Sequence, residues 1–197
     1  VSGSVAKALN APVLLVSSNS IPADIATELT RLNPVNIIVA GGPTAVSEAV
    51  FTELGTFASG AVTRIAGANR YETAVELSKF ANPDASPTNP EARVYVATGA
   101  SFSDALAVAA PAARDGHQVL LVGQNTVPAV VLAELQRLAP QEIVILGGPI
   151  AVSESVETTL RASWPVTRIG GATRYDTAAM ISAANYTPPV DTIYVTT

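Results

Sequence analysis

The sequence predicts an α/β fold of tandem, small, doubly wound parallel-sheet sandwich modules, Rossmann- or flavodoxin-like, with about two modules' worth of chain. Two observations support this prediction. Short apolar runs rich in β-branched residues, each closed by glycine, alternate with helical patterns, as in parallel sheets that helices cover on both faces. The same segments also occur twice in the same order, which indicates a duplicated module.

The duplication is clearest in three pairs of segments. Arg64–Ala74 (RIAGANRYETA) recurs 104 residues later with eight of eleven positions identical. Gly41–Glu48 (GGPTAVSE) recurs 106 residues later with seven of eight identical, and Val94–Thr98 (VYVAT) resembles Ile193–Thr197 (IYVTT). We therefore predict residues 1–63 as the C-terminal part of a first repeat, 64–167 as a complete second repeat, and 168–197 as the start of a third. Alternatively, the two terminal stretches together complete one module.

The complete repeat contains three clear strands and a weaker one. VYVATG, QVLLVG and EIVILGG, which begin at residues 94, 118 and 142, are apolar runs of strand length that end in glycine. A weaker strand covers Val166–Ile169, and its counterpart covers Val62–Ile65. Pro12–Val16 (PVLLV) repeats QVLLV, so we expect this apolar motif to be a buried strand as well.

Helices are predicted between these strands. Ser101 and Asp104 have the spacing of a capping box that opens a helix over Phe102–Arg114, with Gly116 at its C-cap and a kink at Pro111. Pro128 begins the next helix, since this position needs no N–H. The apolar face of that helix is Val131, Leu135 and Leu138, and its counterparts in the first repeat are Ile25, Leu29 and Leu32. Further helices are predicted to begin at Ser153, at Asn69–Glu72 and at Thr173–Asp176. Asn82–Pro90 is predicted as a loop.

The composition excludes several classes of function. The chain has no cysteine, so a disulfide framework and a thiolate metal site are excluded. Its net charge of −5 argues against nucleic acid and acidic membranes as partners, and its apolar runs are too short for membrane insertion. The lone His117, the absence of GxSxG and GxGxxG, and the lack of a carboxylate cluster predict no catalytic residue, no metal and no cofactor.

Four arginines are the candidate ligand-binding residues. Arg64 and Arg70 bracket a glycine in the first RIxGxxRYxTA segment, and Arg168 and Arg174 do so in the second. Guanidinium groups bind phosphate or carboxylate groups through paired hydrogen bonds, so these residues are candidates for contact with an anionic polymer. The alternative is structural: the arginines pair with carboxylates such as Asp104 and join neighbouring modules.

Two serines complete this candidate anion site. Ser101 and Ser103 follow the strand that begins at Val94, where a helix N-terminus would present backbone N–H groups. The alternative here is again structural, because Asp104 would then occupy the same donors by capping the helix.

The segments RIxGxxRYxTA, VATGxSFxDAL, PVLLV and ILGGxxAVS together resemble the cell wall binding repeat type 2 family over essentially the whole chain. The resemblance implies α/β sandwich modules, usually three, that pack around a pseudo-threefold axis. It also implies non-catalytic, non-covalent anchoring of a secreted surface protein to an anionic polysaccharide of the Gram-positive cell wall, with neighbouring repeats as partners.

The family's proline-containing apolar motif, proposed to take part in polymer binding, matches Pro12, Leu14 and Leu15. In the second repeat it matches Leu120 and Leu121, where Gln118 replaces the proline. Two other functions stay open: a purely architectural repeat whose arginines only join modules, and a hydrolase on a Rossmann-like scaffold.

Overall fold

The computed structural model describes residues 2–195. The helices are α1 (Ser2–Ala8), α2 (Ala23–Leu32), α3 (Glu48–Leu54), α4 (Arg70–Ala81), α5 (Ser103–Ala107), α6 (Ala109–Asp115), α7 (Ala129–Leu138), α8 (Glu154–Arg161) and α9 (Arg174–Asn185). The strands are β1 (Ile37–Ala40), β2 (Val62–Ile65), β3 (Arg93–Thr98), β4 (Gln118–Val122), β5 (Glu142–Leu146) and β6 (Val166–Ile169). Across this described range, every helix falls short of the length and apolarity that crossing a bilayer requires.

The strands form two parallel sheets, which confirms the predicted fold class. The larger sheet has the order β4-β3-β5-β6, and the smaller one pairs β1 with β2. In the larger sheet, Val94 is opposite Gln118 on one side of β3 and Ile143 on the other. β1 and β2 are the repeat counterparts of β5 and β6, and they pair in the same parallel manner.

Each sheet is the centre of a structural unit. The second unit contains β3 to β6 with α5 to α8, and its sheet buries an apolar cluster on each face. The strand residues are almost all buried because helices cover both faces, as the near-continuous apolar runs predict. The first unit contains α1 to α3 with β1 and β2, and its smaller clusters centre on Leu29, Val39 and Val50 and on Val5 and Ile65.

Helix α4 connects the two units. Its Leu77 packs with Val5 and Ile65 of the first unit. Its opposite face, with Tyr71 and Val75, packs into the core of the second unit. The predicted repeat boundary at residues 63/64 falls within β2, and the three predicted repeat ranges stay predictions.

Several local predictions are confirmed. Thr173 and Asp176 form the reciprocal capping box of α9, and the Asn69 side chain accepts from two backbone N–H groups at the start of α4. Gly116 ends α6 in the left-handed conformation, with φ of 81°. The apolar face of α7, with Val131, Leu135 and Leu138, is fully buried.

The helix predicted over Phe102–Arg114 is wrong as one element. It is two short helices, α5 and α6, with Val108 at the junction. Pro111 lacks an N–H, and its ring displaces the carbonyl group four residues earlier, so the helix breaks there rather than kinking. The predicted capping box at its start is also wrong, because no side chain caps α5 and the Ser101 hydroxyl instead hydrogen-bonds that of Ser103.

The buried strand predicted at Pro12–Val16 is wrong for this structure. The segment has no regular secondary structure and no strand pairing, and Val13 and Leu15 are 56% and 79% exposed. Its repeat counterpart β4 is held by hydrogen bonds to β3. In the described part of the chain, Pro12–Val16 has no neighbouring strand to bond to. The second VYVAT-like segment is unpaired over Ile193–Val195, and its last two residues lie outside the described range.

Candidate functional site

The candidate site is the carboxyl edge of the larger sheet, where β3, β5 and β6 end. We call this the carboxyl edge and define it by Gly99–Asp104, Gly147–Ile150, Gly170–Gly171 and the arginines that begin α4 and α9. The carboxyl ends of parallel strands meet at one edge, so loops that are distant in sequence converge there. The edge brings Arg70, Ser101, Ser103 and Arg174 to one side of the second unit.

Arg168 lies beneath this edge and is held by internal bonds. Its Nη1 atom donates to the Gly147 carbonyl oxygen at 2.7 Å, and its Nε and Nη2 atoms donate to Oε2 of Glu157 at 2.8 and 2.7 Å. The side chain is only 16% exposed. Arg168 therefore ties the end of β6 to the glycine turn after β5 and to α8.

Arg64 has the equivalent role in the first unit. Its Nη1 atom donates to the carbonyl oxygens of Gly41 and Val46, each at 2.8 Å. The guanidinium also lies 4.6 Å from the centre of the Phe51 ring and 3.2 Å from a Glu48 oxygen. Phe51 is 106 residues before Glu157, so an aromatic face in one repeat replaces the carboxylate of the other.

Arg70 and Arg174 differ from the first arginine of each segment. Both are exposed, and neither has a carboxylate of the described residues within ion-pair distance. Arg70 donates to the Gly99 carbonyl oxygen at the end of β3. Arg174 lies close enough to Asp104 for its positive charge to act on that carboxyl group. Both guanidinium groups thus have N–H donors that bond to no carboxylate of the described residues.

Asp104 is a buried acidic group behind these arginines. Burial raises the pKa of Asp104 above its ordinary value, and the charge of Arg174 offsets part of this rise. One carboxylate oxygen lies so near the Gly147 backbone that a Cβ built there would be 2.5 Å from it. Asp104 thus reaches across the edge from α5 to the turn after β5.

The two serines lie at the same edge. The Oγ atoms of Ser101 and Ser103 are 2.8 Å apart and share a hydrogen bond. Phe102, between them, is largely exposed. The pair presents a hydroxyl group and an aromatic ring beside the arginines, and ligand contact by either serine stays a prediction.

The residues of the apolar motif are not among those that define this edge. Leu120 is fully buried in β4, and Leu121 is half-buried. In the first unit, Pro12 and Leu15 are exposed, whereas Leu14 packs against the cluster around Leu29. The structure therefore does not bring all of the predicted site residues together.

A buried polar network between α4 and α7 was not predicted. The Ser78 hydroxyl donates to Glu134 at 2.6 Å, and Arg137 makes two 2.8 Å bonds to the same carboxylate. Arg137 also donates to the carbonyl oxygens of Asn82 and Ala85. A signal was present in the sequence, because the Glu-x-x-Arg spacing recurs 106 residues earlier at Glu28 and Arg31.

Two further observations concern catalytic chemistry. Burial lowers the pKa of His117, which packs at 6.1 Å from the Tyr95 ring, so this histidine is neutral near pH 7. Within residues 2–195, no group of three or more His, Asp or Glu side chains is placed to hold a metal ion.

Comparison with known proteins gives consistent matches. The family model described as cell wall binding domain 2 (CWB2) matches residues 1–51 and 64–157. An amidase enhancer of Bacillus subtilis is 34% identical over 177 residues, covering 90% of this chain and 23% of that protein. The N-acetylmuramoyl-L-alanine amidase LytC of the same organism is 28% identical over 172 residues, covering 87% of this chain and 32% of that protein.

Two solved structures have the same fold. Cwp6 from Clostridium difficile superposes with a TM-score of 0.84 at 26% identity, over 94% of this chain and 29% of that one. Cwp8 from the same organism gives a TM-score of 0.79 at 29% identity, over 95% of this chain and 31% of that one. The chain thus spans between 23% and 32% of the length of each of these four relatives.

Proposed function

The chain belongs to the cell wall binding domain 2 family, and from this premise we propose that it is a non-catalytic anchoring module. It holds a secreted surface protein on the Gram-positive cell wall by binding an anionic secondary wall polymer without covalent attachment. The names of its relatives support a place at the wall: one is an amidase enhancer and another an N-acetylmuramoyl-L-alanine amidase. The amidase activity in the second name belongs to that protein.

The observation that carries this proposal is that the two arginines in each repeated segment differ in burial and in internal hydrogen bonding. Arg64 and Arg168 are half-buried and hydrogen-bonded inside their units. Arg70 and Arg174 are exposed at the carboxyl edge, on either side of Gly99–Asp104. A phosphate or carboxylate group of a polymer would accept paired hydrogen bonds from these two guanidinium groups.

Binding of this kind is weak at one site and strong along a polymer. Once one charged group of the polymer is held, the next binds at a high effective concentration. The Ser101 and Ser103 hydroxyls add neutral hydrogen bonds beside the arginines. Repetition of the arginine segment is useful to such a binder, and the net charge of −5 is tolerated because salt screens the more distant carboxylates.

The test is retention on purified Gram-positive cell walls. We expect the chain to co-sediment with intact walls and not with walls whose anionic polymer has been removed. Arg70→Ala with Arg174→Ala should weaken retention about tenfold or more, since each charge-assisted contact is worth about 1.5 kcal/mol or more. The matched control is Lys79→Ala with Arg161→Ala, which removes two exposed charges elsewhere.

Two results would contradict the proposal. Equal retention on stripped walls would exclude the anionic polymer as the ligand. Equal loss in the arginine and control variants would show that total charge, and not the carboxyl edge, governs retention. Under the architectural alternative, which the internal bonds of Arg64 and Arg168 favour for those two residues, the Arg70 and Arg174 variants would lower the melting temperature and leave retention unchanged.

A further inference from the structure

Phe102 is a large apolar side chain that lies in solvent at the carboxyl edge. It is 69% exposed, and it packs against none of the apolar clusters of the described residues. A single exposed apolar residue is common on a protein surface. Phe102 differs from such a residue in its surroundings, because the charged and polar groups of the candidate site lie on its own segment and on the helices beside it.

Two arginines flank the segment that carries Phe102. Arg70, at the start of α4, donates to the Gly99 carbonyl oxygen at one end of the segment. Arg174, at the start of α9, lies close enough to Asp104, at the other end, for its charge to act on that carboxyl group. Both flanking helices are described over their whole length, so Phe102 is exposed with each neighbouring helix in place.

Hydrogen bonds hold the backbone on both sides of Phe102. The Thr98 hydroxyl accepts from the Ala100 N–H group at 3.2 Å, and the Phe102 carbonyl oxygen accepts from the Leu106 N–H group at 2.8 Å. Phe102 itself has φ of −87° and ψ of −19°, within the right-handed helical region. The ring is therefore presented by a bonded and unstrained segment, which reduces the entropy lost when a ligand covers it.

Hydroxyl groups come directly before and after this ring in the sequence. The Oγ atoms of Ser101 and Ser103 share one hydrogen bond of 2.8 Å, which uses one of their two O–H donors. The pair thus has a second O–H group and further lone pairs at the edge. Sugar hydroxyls also donate and accept, so they match this pair in chemistry.

The neighbouring strand supplies a second exposed apolar side chain. Ile150 follows β5, which pairs with β3, and it is 89% exposed. The Gln124 side chain donates to the Ile150 carbonyl oxygen at 2.7 Å and fixes the backbone there. The counterpart of Ile150 in the first repeat is Thr44, although the three residues before and the four after are identical. Apolar surface at this edge is therefore a property of the second unit.

We propose, as a refinement that rests on the proposed function, that Phe102 is a platform on which a sugar ring of the bound polymer stacks. The ligand is then a glycan that carries an acidic group on or beside that ring. One face of a pyranose ring consists largely of C–H groups, whose hydrogen atoms are weakly positive. The face of an aromatic ring is weakly negative, so the two faces attract as well as exclude water.

The mixture of groups at this edge favours an acidic sugar over two other occupants. An open-chain polyol phosphate would satisfy the arginines but has no rigid apolar face for Phe102. An apolar peptide would cover Phe102 but would leave the guanidinium groups and the serine hydroxyls without partners. An acidic sugar places a C–H face on the ring, hydroxyls at Ser101 and Ser103, and its carboxylate or phosphate on Arg70 or Arg174.

Two substitutions separate stacking from simple apolar contact. Phe102→Leu keeps an apolar side chain and removes the aromatic face, whereas Phe102→Trp enlarges that face. On purified walls we expect Phe102→Leu to weaken retention about fivefold and Phe102→Trp to preserve it. The matched control is Phe80→Leu, which changes an exposed phenylalanine in the last turn of α4, outside the residues that define the carboxyl edge. All three variants should melt with the natural chain.

Two soluble polymers separate the ring from the charge. Polygalacturonate is a chain of acidic sugar rings, and inorganic polyphosphate is an acidic chain without rings. We expect Arg70→Ala with Arg174→Ala to weaken binding of both, and Phe102→Leu to weaken binding of polygalacturonate only. In proton NMR, C–H signals of a short galacturonate oligomer should move upfield on binding, because protons above an aromatic face are shielded. Phe102→Leu should abolish that shift.

The outcomes distinguish this inference from the proposed function. Equal retention of Phe102→Leu and Phe80→Leu, equal loss with Leu and Trp at position 102, or no binding of polygalacturonate would overturn the stacking role. The wall-binding proposal would still stand if the arginine variant weakened retention in the same experiment. Failure of the natural chain to be retained by intact walls would overturn the proposed function, and the stacking role with it.

Discussion

The buried network of Ser78, Glu134 and Arg137 predicts how much one buried ion pair contributes to the stability of the fold. We consider Glu134→Gln, which preserves the size of the side chain and removes its charge. The Glu134 side chain is fully buried and that of Arg137 is 26% exposed. In the variant, the Arg137 guanidinium faces an amide that can accept through one oxygen and carries N–H donors on the other side.

The magnitude follows from the burial of the pair. Breaking a fully buried ion pair costs about 3–5 kcal/mol. Because Arg137 is partly hydrated and keeps its bonds to two backbone carbonyl oxygens, we expect a loss of about 2–3 kcal/mol. For a chain of this length, that loss lowers the melting temperature by about 5–10 °C.

The assay is thermal unfolding followed by circular dichroism in dilute protein, with urea unfolding as a second measure. The control is Glu28→Gln, the repeat counterpart in the first unit, whose pair with Arg31 is exposed and which should leave the melting temperature unchanged. Ser78→Ala should cost less, about 1 kcal/mol. If Glu134→Gln lowered the melting temperature no more than Glu28→Gln does, the argument that burial makes this pair essential would be refuted.

Three other variants test the carboxyl edge. Gly170→Ala places a Cβ 2.4 Å from the Gly147 backbone, so we expect loss of soluble folded protein on expression or a clearly lower melting temperature. Arg168→Ala removes three internal bonds and should lower stability by about 2–3 kcal/mol in urea unfolding. Burial raises the pKa of Asp104 in the folded state above its value in the unfolded state, so the natural chain loses stability as this carboxyl group ionises. Asp104→Asn removes this loss, and we therefore expect the variant to become more stable relative to the natural chain as pH rises above about 4. Urea unfolding from pH 3 to 7 checks that sign. Stronger retention on walls is also expected, because the variant removes a negative charge that lies close to Arg174.

Much of the fold was predictable from local sequence. β3 to β5 are apolar runs of strand length, α4 and α9 begin at capping residues, and α7 begins after a proline and carries an apolar face. These properties depend on short-range chemistry, so they are the same wherever the segment lies in the chain. The duplication was likewise readable, since identity at a fixed offset requires no structure.

Whether Pro12–Val16 forms a strand could not be predicted from its local sequence. Its sequence nearly matches that of β4, yet only β4 is a strand. A strand is held by hydrogen bonds to a neighbour, and that neighbour is specified by long-range packing rather than by the segment itself. The break between α5 and α6 was partly predictable, because Pro111 marks its position but not its extent.

The roles of the arginines show the same division. From the sequence, the two arginines of each RIxGxxRYxTA segment carry the same charge, and each could either bind a ligand or pair within the fold. The tertiary structure buries Arg64 and Arg168 against carbonyl oxygens, and it leaves Arg70 and Arg174 exposed at the carboxyl edge. The sequence by itself determined which residue types recur, and therefore the module and its family. Only the tertiary structure decided which of these arginines make internal hydrogen bonds, because their partners come from segments that are far apart in sequence.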